Sequence, residues 1–118
     1  MILVDTSVWV AHFREHNPLL EASLLDGEVW THPFVIGELA CGNLKNRSEI
    51  LGLFHVLPQV TQASHEEILV LLERHRLMGT GLGLIDVHLL GSALISHAKL
   101  WTIDRRLKEI AGQLSVGY

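Results

Sequence analysis

The sequence predicts an α/β fold: three layers, α/β/α, around a central, mostly parallel sheet. Three observations carry that prediction. Short apolar, β-branched runs alternate with longer helical patterns along the whole chain, and such alternation builds a parallel sheet with helices on both faces. The first run, Ile2-Leu3-Val4, is apolar throughout, as a buried strand must be. The chain has 118 residues, 48% of them apolar and 19% charged, which fits one domain, 1–118, with a real core.

Each element has a local reason. Residues 2–5 read as the first strand, closed by the turn formers Thr6 and Ser7. A helix over about 7–15 follows. A second runs from Pro18 to Leu25, with Asn17 ahead of it and Pro18 in its first turn. Residues 28–31 form a short strand. Pro33 opens a helix that Gly42 and Asn43 stop after Cys41. Residues 47–54 read as helical and 55–60, "HVLPQV", as extended, with Pro58 marking an edge or a bend. Ser64 and Glu67 have capping-box spacing and open a helix to about Met78. The glycine-rich "TGLGLID" leads into a helix over about 86–98. Residues 100–103 give a further strand, 105–113 a helix, and Ser115–Val116 a last short strand. In such folds function gathers at the carboxyl ends of the strands.

Composition narrows the function classes. No run reaches the eighteen or so apolar residues of a membrane span, and no basic region precedes an apolar one at the N-terminus, so neither a span nor a secretion signal is expected. The only cysteine, Cys41, has no internal disulfide partner, which fits a reducing, cytoplasmic setting. Thirteen acids and nine bases give a net charge of −4, a poor basis for binding nucleic acid by general basicity. If four acids belong to a metal site, nine acids and nine bases remain, and the rest of the surface is neutral.

Four acids stand in unusual surroundings. Asp5 closes an apolar strand, where its ordinary explanation is helix capping. Glu38 lies in "PFVIGELACG", where Phe34, Val35, Cys41 and Gly42 are its same-face neighbours and no polar face exists. A carboxylate buried there needs a cation or a proton. Asp86 lies in the first turn of an apolar helix, a position the helix dipole favours. Asp104 ends "LWTID" and is placed to cap the next helix. Capping therefore accounts for three of the four taken singly. Together, two end strands of one parallel sheet, one starts a helix at that same edge, and one faces inward. Converging acids repel unless a hard cation separates them, and all-oxygen ligation suits Mg²⁺ or Mn²⁺.

The blocks "ILVDTSVWV", "GELACG", "LIDVHLLGSA" and "LWTIDRRL" resemble the four acidic blocks of PIN-domain ribonucleases. In its compact length the chain is most similar to VapC-type toxins of bacterial or archaeal toxin–antitoxin pairs. The resemblance implies that Asp5, Glu38, Asp86 and Asp104 bind one or two Mg²⁺ or Mn²⁺ ions, with Asp5 and Asp86 as primary ligands. It implies cleavage of RNA phosphodiesters by an activated water, leaving a 5′-phosphate and a 3′-hydroxyl. Thr6, Ser7 and Thr102 would orient a water or a phosphate, Thr102 through the family's T-x-D pattern. A homodimer and a VapB-type antitoxin partner are implied as well. The eight histidines depart from the pattern, and His88 stands where a small or apolar residue is expected; an exterior position is expected for it.

Other features have ordinary explanations. His12 and His16 have two-histidine metal spacing without an accompanying H-E-x-x-H glutamate, so solvent exposure is expected. "TGLGL" lacks the lysine and hydroxyl of a phosphate loop. Cys41 has no base placed to activate it, which points to the core. Arg105, Arg106 and Lys108 after Asp104, and Lys45 and Arg47 after the Glu38 helix, are candidate RNA-phosphate contacts; a solvated surface is their plain reading. Trp9 and Phe13, four apart, suit a core or partner contact. Two other functions compete. One is a catalytically silent PIN-like module that binds RNA or a partner. The other is a Mg²⁺-dependent phosphoacceptor domain, which needs a mid-chain Asp where this chain has only Glu49, Glu66, Glu67 and Glu73.

Overall fold

The computed structural model describes residues 1–118. Strand β1 (Ile2–Val4) lies at the centre of a three-stranded parallel sheet, flanked by β2 (Val29–Trp30) and β3 (Lys99–Trp101). Its register sets Ile2 opposite Val29 and Lys99, and Val4 opposite Trp101. Single parallel bridges extend both edges, Thr31 with Gln59 and Leu100 with Gly117. Ile2, Leu3 and Val4 are all buried, which is why this strand carries no alternating polar face.

The helices are α1 (Thr6–Arg14), α2 (Pro18–Leu25), α3 (Pro33–Cys41), α4 (Arg47–Val56), α5 (His65–Arg74), α6 (Leu84–Ser96) and α7 (Arg105–Gln113). Their starts are chemically specified. The Asn17 side chain accepts from the amides of Leu19 and Leu20. Ser64 and Glu67 exchange side-chain and backbone hydrogen bonds in a complete capping box. Each such cap is worth about 1 kcal/mol. Helix α6 is the core helix: Leu89, Leu90, Ser92 and Ala93 are fully buried.

Several boundaries differ from the sequence expectation. Helix α4 continues to Val56, so the extended segment starts only at Leu57. Helix α5 ends at Arg74, before Met78, because Arg76 takes a left-handed conformation. Helix α6 starts two residues before Asp86, which puts that acid at its third position. Residues 115–118 contribute one bridge and no full strand. Cys41, expected in the core, is exposed, since the buried face of α3 is formed by Val35 and Leu39. His12 is half-buried instead of solvent-exposed: its ring lies near Trp9, and its Nδ1 accepts from the amide of Asn17. His16 is exposed and pairs with Glu21.

Gly91 lets α5 and α6 approach. A Cβ added there would lie 2.9 Å from Ile68 Cδ1 and 3.3 Å from Ala63 Cβ. Ile68 is fully buried, so its chain has little room to retreat. Replacing Gly91 with Leu should lower stability by about 1–3 kcal/mol through overpacking, read as a lower urea midpoint. An unchanged midpoint would contradict this packing.

Candidate active site at the carboxyl edge of the sheet

The chain leaves β1 at Asp5 and β3 at Thr102, side by side, and the Asp5 amide donates to the Trp101 carbonyl (2.8 Å). Asp5 is 6% exposed. It occupies the cap position of α1, yet its side chain makes no capping bond. Instead Oδ2 accepts from Ser7 Oγ (2.6 Å) and Thr102 Oγ1 (2.8 Å). Each hydroxyl has one proton, and both are directed at Oδ2. The 3.3 Å approach of the two hydroxyls to each other is therefore a contact without a proton of its own. The hydroxyls also accept: Ser7 Oγ from the Ile103 amide and Thr102 Oγ1 from the Asp104 amide. Asp5 Oδ1 makes no hydrogen bond within the protein.

Thr6, the next residue, points the other way. Its Oγ1 donates to Glu38 Oε1 at 2.6 Å, fixing a half-buried carboxylate on α3 against the start of α1. Asp86 sits in the first turn of α6, where its Oδ2 accepts from the Gly83 amide at 3.2 Å. Asp104 is exposed and caps α7, its Oδ1 accepting from the Leu107 amide at 2.9 Å. Capping thus holds for Asp104 and fails for Asp5.

Three of the acids act on the fourth. The Asp86 carboxyl is held above its ordinary value, first by burial and then by the charges of Asp5, Asp104 and Glu38; the Gly83 amide opposes the rise. The acids are therefore neighbours through their fields. No three Asp, Glu, His or Cys side chains are gathered closely enough to enclose an ion. The two observations agree, because charge acts over longer distances than a ligand bond spans. The donors are all oxygen and mostly anionic, a set suited to a hard divalent cation.

The flanking bases are solvent-facing. Arg105 and Arg106, at the start of α7, are exposed beside Glu109. Lys45 and Arg47 are exposed, with Arg47 Nη1 donating to the Gly42 carbonyl at 3.2 Å. His88 is not exterior as expected: it is half-buried, edge-on to Phe34 at 4.9 Å between ring centroids and 6.5 Å from the His32 ring. His32 itself was missed in the sequence. It is fully buried and caps α3, its Nδ1 accepting from the Phe34 amide at 2.9 Å. Burial, then the neighbouring His88, pushes its pKa down to about 4. Its position immediately before Pro33 was the available signal.

Beside this parallel sheet and the acids that follow its strand ends stands a comparison of the whole chain: the PIN domain family model matches residues 2–113. The chain belongs to the PIN-domain family. It is 48% identical over 117 residues to Ribonuclease VapC32 of Mycobacterium tuberculosis, in both strain CDC 1551 / Oshkosh and strain ATCC 25618 / H37Rv. Each match covers 98% of this chain and 94% of the relative.

The raised pKa of Asp86 has a consequence for stability. Between the unfolded value of 3.8 and the higher folded value, the folded state keeps a proton that the unfolded state has lost. Stability of metal-free protein therefore falls as pH rises through this window. Replacing Asp86 with Asn should raise the melting temperature in EDTA at pH 7 and change it little near pH 3. A variant destabilised equally at both pH values would contradict the repulsion.

Proposed function

We propose that the chain is a metal-dependent endoribonuclease, the toxin of a type II toxin–antitoxin pair. The observation that carries this is Asp5: a buried carboxylate that does not cap its helix, is held on one oxygen by two hydroxyls, and whose charge, with those of Asp104 and Glu38, reaches Asp86. The name of the relatives, Ribonuclease VapC32, supports the activity.

In this reading Asp5 and Asp86 are the primary ligands of Mg²⁺ or Mn²⁺, and Glu38 and Asp104 complete the pocket directly or through water. A bound ion would supply a nucleophilic water and offset charge on the cleaved phosphate. The chain's own groups then have distinct tasks. Ser7 and Thr102 fix the orientation of the Asp5 carboxyl, as partners behind a ligand do. Thr6 does the same for Glu38. Asp104 caps α7 while directing charge into the pocket. Arg105, Arg106, Lys45 and Arg47 hold RNA phosphates on either side. The partner is a VapB-type antitoxin, the assembly a homodimer and the setting cytoplasmic. No helix is long and apolar enough to cross a membrane.

Purified protein should cleave single-stranded RNA with Mg²⁺ or Mn²⁺, and both EDTA and the change Asp5→Asn should abolish cleavage. Cleavage that survives both would contradict the metal-nuclease reading. Tight RNA binding without cleavage would favour the silent module. Thr102→Ala, which removes only a hydroxyl behind the acid, should reduce activity about 10–100-fold, whereas Thr102→Ser should restore most of it. Equal activity in all three proteins would show that the hydroxyl does not support the site.

A further inference from the structure

Two of the four acids come from α3 and α6, and these same helices carry an aromatic pair that the acidic site does not use. Phe34 lies one turn before Glu38 on α3, so the two side chains share a face. It is 37% exposed, because the core side of α3 belongs to Val35 and Leu39. His88 lies two residues beyond Asp86 on α6, so it leaves the helix on a different face from that acid, and it is half-buried. The two rings meet edge to face, with centroids 4.9 Å apart and planes at 69°. Beneath them the His32 ring is fully buried, 5.0 Å from Phe34 and 6.5 Å from His88. Its Nδ1 is engaged by the Phe34 amide and its Nε2 is buried without a partner. His32 thus packs from below and anchors the backbone of Phe34 itself.

Charge makes such a surface useful. The chain carries more acids than bases, and four of those acids belong to the candidate site, so phosphate contacts alone are a weak source of RNA affinity. Stacking is the other sequence-tolerant way to hold single-stranded RNA, because every base has a π-face.

We infer that Phe34, backed by His88 and His32, is a stacking platform for one nucleobase flanking the scissile phosphate of single-stranded RNA. This rests on the ribonuclease reading above and adds a base-directed contact to it. Phe34 and His88 touch the base. His32 is a positioning residue that sets the ring's height and tilt.

The test uses a short single-stranded RNA that the protein cleaves with Mn²⁺, and copies with one abasic nucleotide at each position flanking the cut. With the unaltered protein, one flanking position should show a penalty of about 5- to 100-fold in kcat/KM, the range that stacking of one base supplies. Phe34→Ala should lower kcat/KM on intact RNA by the same factor, mostly through KM, and should abolish the abasic penalty. Phe34→Trp should retain both activity and penalty, and His88→Ala should weaken both in part. Melting temperatures of the variants separate lost folding from lost stacking. RNA cleavage with no abasic penalty at any position, or with the full penalty persisting in Phe34→Ala, overturns the platform alone. Failure of the unaltered protein to cleave RNA overturns both the platform and the ribonuclease reading.

Discussion

The structure depends on two hydroxyl protons directed at one oxygen of Asp5. A carboxylate taken out of water without partners is expensive to keep charged. Ser7 and Thr102 offset that cost at Oδ2. They belong to the segments that follow β1 and β3, so the same bonds tie the two strand ends together. The sheet reinforces this, since the Asp5 amide bonds the Trp101 carbonyl. Folding of the central strand and presentation of the acid are therefore one event, and the oxygen left over is held rigidly.

The other acids are arranged around that fixed point by different means. Glu38 arrives on a helix and is held by the hydroxyl of Thr6, the residue next to Asp5. Asp86 arrives at a helix start, where a backbone amide partly compensates its burial. Asp104 does local work as a cap. At the start of α1 the consecutive hydroxyls of Thr6 and Ser7 go to different acids, Glu38 and Asp5. Burial and then the like charges of its neighbours hold the Asp86 carboxyl above its ordinary value, a cost that a divalent cation held as proposed would relieve. Such locally unfavourable charge is characteristic of functional positions.

The four acids were singled out by their surroundings and by the family resemblance, while the alternation of strands and helices and the burial of β1 were legible in the sequence, because each follows from short-range pattern. The Asn17 and Ser64 caps were legible for the same reason. What was not legible depended on contacts across the chain. Thr6, Ser7 and Thr102 were read as orienting a water or a phosphate; that Thr6 and Thr102 also hold carboxylates depends on partners 32 and 97 residues away, which no local pattern shows. His88 was expected outside because its own helix does not show Phe34 and His32 arriving from α3. Cys41 was expected inside because no base is placed to activate it, although the helix turns that residue to solvent. The extended reading of 55–60 failed in its first half because α4 continues through His55 and Val56 before Pro58 enforces extension.

In the proposed function Asp5 and Asp86 would jointly hold a divalent ion. Anomalous diffraction from crystals of the unaltered protein soaked in Mn²⁺ tests it most directly. The account predicts a peak within ligand distance of the free oxygen of Asp5 and of the Asp86 carboxylate, lost in crystals of Asp5→Asn. A strong peak bound elsewhere on the chain, with none between these two acids, would contradict it.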